Sequence, residues 1–170
     1  MGRFLNKLYL EDLGEQLWEV QQPYGYMLDQ YIYVIMPKFR TDGTSLPRLT
    51  WTLAGESPMA GSTKYGAVPH DGGYKGVILI LSVAKLKEHG ITPEQSVTDP
   101  LVLPADCFVH YDRKVFPRSH WDYVLKCGWR DAHTYGGDVD RIPVAKRLLM
   151  ISFVRAFGWI PWRKYARSHR

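Results

Sequence analysis

The stretch "TKYGAVPHDGGYKG", residues 63–76, places His70 beside Asp71 and surrounds the pair with Pro69, Gly72 and Gly73. A helix can begin here if Pro69 falls in its first turn, where the missing backbone N–H costs nothing. The two glycines oppose a helix because glycine loses more backbone freedom than other residues. The sequence therefore predicts a helix that starts close to Pro69, with a polar pair on it.

The residues before this stretch have the pattern of strands. Segments 7–13, 15–23 and 30–37 alternate apolar with polar residues and are rich in Tyr, Val, Ile and Trp. Such alternation is typical of half-buried strands, and Gly and Pro residues separate the segments. The next ten residues, "FRTDGTSLPR" at 39–48, concentrate Thr, Asp, Gly, Ser and Pro. That composition indicates a structured loop.

The residues after the stretch mix strand and helix signals. "GVILILSV" at 76–83 and "DPLVLPADCFVHYD" at 99–112 resemble strands, and "AKLKEHG" at 84–90 resembles a short helix. A helix is predicted from Ser119 to residue 130. A last helix is predicted with Asp140 as its N-cap, Pro143 in its first turn and Gly158 at its end. The fold class predicted is α+β, with N-terminal antiparallel strands followed by a small helical core.

The chain has 170 residues, which is the size of one domain with a core of its own. Five parts are expected: β-rich residues 1–40, the loop and His–Asp element at 41–74, an insertion at 75–117, helices at 118–158 and a tail at 159–170. Two cysteines are too few for a disulfide framework and indicate buried thiols in a reducing compartment. We expect no signal peptide and no membrane span, since the longest apolar run, residues 77–84, is short.

Basic charge is concentrated at the C-terminal end. Residues 141–170 contain eight Lys or Arg residues and no acid, although the formal net charge of the chain is only +5. The segment "FGWIPWRKYARSHR" at 157–170 alternates aromatic with basic residues. Because Gly158 and Pro161 should end the preceding helix, the segment is predicted to project as an interaction surface for protein or anionic lipid. One short basic segment is a weak footprint for nucleic acid; a solvated basic tail is the alternative.

Residues from three segments would complete a catalytic site. His70 has the chemistry of a general base, and Asp122 is a candidate for the carboxylate that orients it. Asp71 points elsewhere if the segment is helical, so it would bind a cation. A hard cation such as Ca²⁺ prefers oxygen ligands from a tight loop, and Asp42 and Gly43 in "TDGTS" offer them.

Each of these residues also has a simpler explanation. Asp42 fits an ordinary turn, and Asp122 follows Ser119 at the spacing of a helix capping box. His70 and Asp71 fit a structural hydrogen-bonded pair. Zinc is not predicted, because the remaining histidines show no ligand spacing and the sequence has no cysteine pair. These remaining histidines are His89, His110, His120, His133 and His169.

Four segments taken in order resemble an uncharacterised domain family of tailed bacteriophages and prophages. They are "WEVQQPYGY" at 18–26, "YVIMPKFRTDGTSLPR" at 33–48, "YGAVPHDGGY" at 65–74 and "HWDYVLKCGW" at 120–129. The family pattern is T-D-x-x-S-x-P, then H-D-x-x-Y, then A-D-x-x-F. Trp121 and Leu125 depart from the last element. The resemblance implies a phage-encoded protein found in the virion or the host cytoplasm.

A remoter resemblance links the same elements to secreted bacterial and fungal phospholipase A2 enzymes. It implies that Asp42, Gly43 and Asp71 bind calcium, while His70 and Asp122 activate water. The expected function is calcium-assisted hydrolysis of a lipid or another ester of the host envelope. The alternative is a non-catalytic virion or tail-associated structural protein. The expected partners are accordingly host envelope lipid or other virion proteins.

Overall fold

A computed structural model describes residues 2–43, 61–135 and 142–168 and contains eight strands and six α-helices in this part of the chain. Five strands form the main antiparallel sheet in the order β1-β4-β5-β7-β8: β1 (Arg3–Phe4), β4 (Tyr24–Leu28), β5 (Tyr31–Ile35), β7 (Leu79–Ser82) and β8 (Phe108–Val109). Three form a smaller sheet in the order β2-β3-β6: β2 (Leu10–Asp12), β3 (Trp18–Val20) and β6 (Arg40–Thr41). The α+β class is confirmed.

Helices pack on both faces of the main sheet. Along β5, Tyr33 and Ile35 belong to one apolar cluster, whereas Ile32 and Val34 belong to another, as the two-residue period of a strand requires. The first cluster includes residues of α1 (Thr63–Lys75) and α4 (Arg118–Tyr135), and the second includes residues of α2 (Val83–Glu88) and α3 (Pro93–Thr98). The remaining helices are α5 (Val144–Phe157) and α6 (Trp159–Ser168).

Helix α1 carries the opening stretch, and its placement of Pro69 corrects the prediction. Pro69 lies in the middle of the helix instead of its first turn. Proline has no N–H to donate to the carbonyl four residues earlier, which is that of Tyr65. The hydroxyl of Tyr24 on β4 donates to this carbonyl at 3.0 Å. A hydroxyl donor from the sheet therefore replaces the backbone hydrogen bond that the proline cannot form.

The glycines of α1 serve the packing of the helix. A Cβ added at Gly73 would lie 2.0 Å from the ring of Trp121 on α4, and one added at Gly72 would lie 2.2 Å from Ile35. Gly128 of α4 approaches Gly66 so closely that its added Cβ would lie 2.7 Å from the Gly66 Cα. Because these positions have no side chain, the backbones of α1 and α4 come into close contact. The glycines lower the helix propensity of α1, but they permit this close helix crossing.

Two other local predictions change. Helix α4 begins at Arg118, so Ser119 is already helical and does not form the N-cap of a capping box with Asp122. The predicted strand at 99–112 is two short 3₁₀ turns followed by β8. Residues 75–117 contain β7 and β8 of the main sheet, and their assignment as an insertion stays a prediction. The predicted N-cap Asp140 lies outside the described residues, while Gly158 ends α5 as predicted.

Within the described ranges we find no helix with the length and apolar character needed to cross a bilayer.

Candidate functional site

The crossing of α1 and α4 brings His70 and Asp122 together. Both side chains are buried, and the distance from His70 Nε2 to Asp122 Oδ1 is 3.6 Å. This separation is longer than a hydrogen bond. The same carboxylate oxygen accepts a hydrogen bond of 2.6 Å from the hydroxyl of Tyr74. The structure therefore places the predicted base beside its predicted carboxylate, with Tyr74 as a third member.

The surroundings of Asp122 favour its charged form. Burial would raise the pKa of this carboxyl group, but the nearby His70 ring, the Tyr74 hydroxyl and the Arg118 guanidinium together hold the pKa below its ordinary value. Arg118 Nε lies 3.9 Å from Asp122 Oδ2. Burial and the proximity of Asp122 raise the pKa of Tyr74, so this hydroxyl keeps its proton. Asp122 is thus held as a carboxylate that faces the imidazole.

The buried imidazole of His70 differs from most buried polar groups in its hydrogen bonding. Neither ring nitrogen forms a hydrogen bond with any residue in the described ranges. Its ring packs against that of Tyr74, with centroids 4.1 Å apart. A buried polar atom without a partner costs about 1–3 kcal/mol, so such atoms commonly mark a bound water or a functional group. The ring is thereby positioned to contact a small polar molecule.

The residues predicted to bind calcium surround an ammonium group. Lys75 Nζ donates to Asp71 Oδ2 at 2.7 Å and to the carbonyl oxygen of Arg40 at 3.0 Å. Asp42 Oδ1 lies 4.0 Å from the same nitrogen. The structure thus brings Asp42 and Asp71 to one cluster, as the sequence predicted, with Lys75 between them. Gly43 shapes the turn: it has a φ of 87°, and its N–H donates to Thr41 Oγ1.

Within this cluster, Lys75 and Asp71 form an ion pair in which each group shifts the pKa of the other. Burial raises the pKa of Asp71, and the Lys75 ammonium opposes that shift. Burial would lower the pKa of Lys75, but Asp71 outweighs this and the pKa of Lys75 is raised. A calcium ion needs six to eight oxygen ligands and would compete with the ammonium for the same oxygens. The residues as arranged do not fit calcium beside Lys75.

Helix α6 covers the site, which corrects the prediction of a projecting tail. Pro161 lies in the first turn of a new helix, where no N–H is needed, so the chain continues as α6. The ring of Trp162 packs edge-on against Tyr74 at 5.3 Å, and Tyr165 packs against the core beside Lys75. Two residues predicted to project thus form the inner face of a helix.

Arg113 fastens α6 to the end of α1. Its guanidinium stacks on the Trp162 ring at 4.3 Å and donates to the carbonyl oxygens of Trp162 and Tyr74, each at 3.1 Å. Tyr111 donates to the carbonyl of Gly73 at 2.8 Å. A surface cavity of about 380 Å³ opens next to this contact and is lined by Gly76 and residues 110–113. The closure therefore borders a space open to solvent.

Sequence reasoning missed Lys75, Arg113 and Trp162 as parts of this site. Lys75 had a signal, because a lysine four residues after an aspartate faces it on a helix. Tyr74 stands in the quoted H-D-x-x-Y pattern, although its contact with Asp122 depends on the helix crossing. Arg113 and Trp162 had no local signal, since their partners are distant in sequence.

Comparisons of this chain with protein-family models, curated proteins and solved structures give no match.

Proposed function

We propose that this chain is a phage-encoded hydrolase of the phospholipase A2 type, acting on a lipid or another ester of the host envelope. The observation that supports it is the state of His70. Its imidazole is buried, faces a carboxylate and has both ring nitrogens without a partner among the described residues. A purely structural histidine would be expected to form hydrogen bonds, since burial makes their absence costly.

The proposed reaction assigns one role to each nitrogen of His70. With Nε2 protonated and facing Asp122, Nδ1 takes a proton from water as the water oxygen bonds to the ester carbonyl carbon. The intermediate then collapses, the ester C–O bond breaks, and His70 returns the proton to the departing alkoxide. Asp122 orients the ring and stabilises its charged form. The products are a carboxylic acid and an alcohol.

The Asp42–Asp71 cluster has a separate role in this proposal. Its Lys75 ammonium joins the Arg40 carbonyl of β6 to Asp71 on α1 and so supports the helix that carries the base. Calcium assistance, which the resemblance implies, requires Lys75 to leave these oxygens first. An assay with added calcium and with a chelator separates the two forms of the reaction. Activity that disappears with chelator would restore calcium to the proposal.

In this proposal α6, whose Trp162 packs on Tyr74 beside His70, moves to admit the substrate, and its outer face suits a lipid surface. Trp159, Ile160, Arg163 and Lys164 are exposed on this helix. Aromatic and aliphatic groups favour the membrane interface, and basic groups favour anionic headgroups. Envelope lipid is therefore the partner that fits the hydrolase. Cosedimentation with anionic vesicles should fall when Lys164 is changed to Glu, while binding only to other virion proteins would favour the structural alternative.

A short-chain phospholipid assay tests the hydrolase. His70→Ala should lower the rate by about 10²–10⁴-fold, the usual cost of removing a general base. Asp122→Asn should lower it as well, and His110→Ala, an exposed histidine, is the matched control. Circular dichroism and thermal unfolding report whether each variant folds. A wild-type chain without activity on vesicles or soluble esters, with and without calcium, would overturn the proposal.

The second candidate is a non-catalytic virion or tail-associated protein. It is favoured by Lys75, whose ammonium pairs with the buried Asp71 on α1 and also donates to the Arg40 carbonyl, which ties β6 to the helix. In this case His70→Ala should change the melting temperature, and assembly should follow the folded fraction alone.

A further inference from the structure

A second group of potential ligands lies on elements that the proposed hydrolase does not use. The donor atoms of His89, Asp106 and Cys107 all lie within 4.8 Å of one another, close enough to hold a metal ion. His89 Nε2 and Asp106 Oδ1 are 2.9 Å apart. Zinc was not predicted from the sequence, because the histidines show no ligand spacing and the sequence has no cysteine pair. Tertiary packing brings these three residues together.

Two well-anchored elements hold these side chains. His89 is the C-cap of α2, and its N–H donates to the carbonyl of Lys85. Asp106 and Cys107 share one 3₁₀ turn, in which the Cys107 N–H donates to Pro104. Cys107 is fully buried in the apolar cluster behind the main sheet. The ligand geometry therefore depends on the folded core.

The donor types select the class of metal. A thiolate, an imidazole and a carboxylate together form a borderline-soft set that Zn²⁺ binds in tetrahedral geometry. Calcium and magnesium prefer oxygen ligands and would not use Cys107. Three protein ligands leave the fourth position for water. His89 and Asp106 are exposed, so solvent reaches this group of side chains.

The charges around the group allow a cation to enter. Lys85 Nζ lies 3.9 Å from Asp106 Oδ2 but is held more closely by Glu88, at 2.6 Å. A metal binds the thiolate form of cysteine, so binding through Cys107 would release the thiol proton. Neither cysteine is in a disulfide, so the sulfur is available.

We infer that His89, Asp106 and Cys107 form a zinc site with one position open to water. The site lies on α2 and the turn before β8 and is independent of the proposed hydrolase. Its occupancy ties α2 to the edge of the main sheet, and we expect zinc to stabilise the folded chain. The open position gives the ion room for a small anionic or thiol ligand.

Cobalt is the first probe, because Co²⁺ bound to a thiolate absorbs in the near ultraviolet. The full chain, prepared without a histidine tag and freed of metal by chelation, is titrated with Co²⁺ and then with Zn²⁺. We expect one equivalent of Co²⁺ to produce the sulfur charge-transfer band and one equivalent of Zn²⁺ to remove it. A chain that gives no such band overturns the inference.

Matched variants assign the ligands. Cys107→Ser should abolish the band, and His89→Ala and Asp106→Asn should each weaken zinc binding by about tenfold or more. Cys127→Ser and His110→Ala are the controls and should leave both readouts unchanged. Because His89 and Asp106 are exposed, their variants keep the test valid if Cys107→Ser fails to fold. Zinc affinity that is unchanged in His89→Ala and Asp106→Asn overturns the site.

Discussion

Tyr24 replaces a backbone hydrogen bond that Pro69 removes from α1. The proline leaves the Tyr65 carbonyl without its helical donor, and the Tyr24 hydroxyl takes that place from the neighbouring sheet. The contact is buried and joins residues 41 positions apart. A mid-helix proline is therefore tolerated in this fold because the sheet supplies a donor at that point.

We expect Tyr24→Phe to lower the free energy of unfolding by about 1–3 kcal/mol, the cost of leaving a buried carbonyl unsatisfied. The ring remains, so packing changes little. Chemical denaturation measures the change. Tyr9→Phe, at an exposed tyrosine, is the control. Equal stability of the wild type and Tyr24→Phe would show that water or another group satisfies the carbonyl.

Asp122 makes stability depend on pH in a predictable direction. Its pKa is lower in the folded chain than the ordinary value of 3.8. The stability it contributes is therefore complete above about pH 4 and is lost as the pH falls through the lowered pKa. Each pKa unit of lowering corresponds to about 1.4 kcal/mol.

Asp122→Asn tests this dependence. The difference in unfolding free energy between the wild type and the variant should be largest near neutral pH and shrink in acid. Urea unfolding at a series of pH values between 2.5 and about 7 measures it, with Asp99→Asn at an exposed position as the comparison. A difference that stays constant down to the lowest pH would contradict the assigned shift.

The crossing of α1 and α4 determines where the candidate site forms. Gly66 meets Gly128 near one end, and Gly73 meets the Trp121 ring near the other. Between these contacts the helices are close enough for His70 and Tyr74 to reach Asp122. Small residues thus position the polar group by letting the two backbones approach.

Gly73→Ala should destabilise the chain by about 1–3 kcal/mol, because its Cβ would overlap the Trp121 ring. In a Trp121→Leu background the cost should shrink by at least 0.5 kcal/mol, a typical coupling between residues in contact. Denaturation of the two single variants and the double variant gives this coupling. Additive losses would mean that the helices adjust elsewhere.

In the described ranges, the main sheet has α1 and α4 on one face and α2 and α3 on the other, and α6 lies over the end of α1. This arrangement puts the apolar sides of the sheet out of water and encloses His70. Trp162 and Arg113 hold the enclosure through ring stacking and hydrogen bonds to backbone carbonyls. We therefore expect the contacts of Trp162 to control access to His70.

Trp162→Ala should lower stability by about 2 kcal/mol, less than the 3–5 kcal/mol typical of a fully buried tryptophan because this ring is partly exposed. It should also speed the reaction of His70 with diethyl pyrocarbonate, followed by mass spectrometry of the peptide. Trp159→Ala, on the outer face of the same helix, should do neither. If His70 reacts equally fast in both variants, α6 does not control access.

The local pattern of residues was enough to predict the α+β class and most of the elements. Apolar alternation along 30–37 predicted β5, and Gly158 predicted the end of α5, because both features constrain the backbone where they occur. Local signals were ambiguous at Pro69 and at the two glycines of α1, and contacts with neighbouring elements determine that this segment is helical. The Tyr24 hydroxyl of β4 compensates for Pro69, and the close approach of Trp121 on α4 explains Gly73.

The sequence by itself supplied the chemical types: a His–Asp doublet, a T-D-G loop, a helical aspartate and a basic aromatic segment. Folding determined their relationships. It put Lys75 among the oxygens expected to bind calcium, folded Trp162 inward over Tyr74, and joined His89 to Asp106 and Cys107. The physical reason is that the energy of a side chain depends on its neighbours in space. Those neighbours are set by which faces of the sheet and helices pack together, and no short stretch of sequence contains that information.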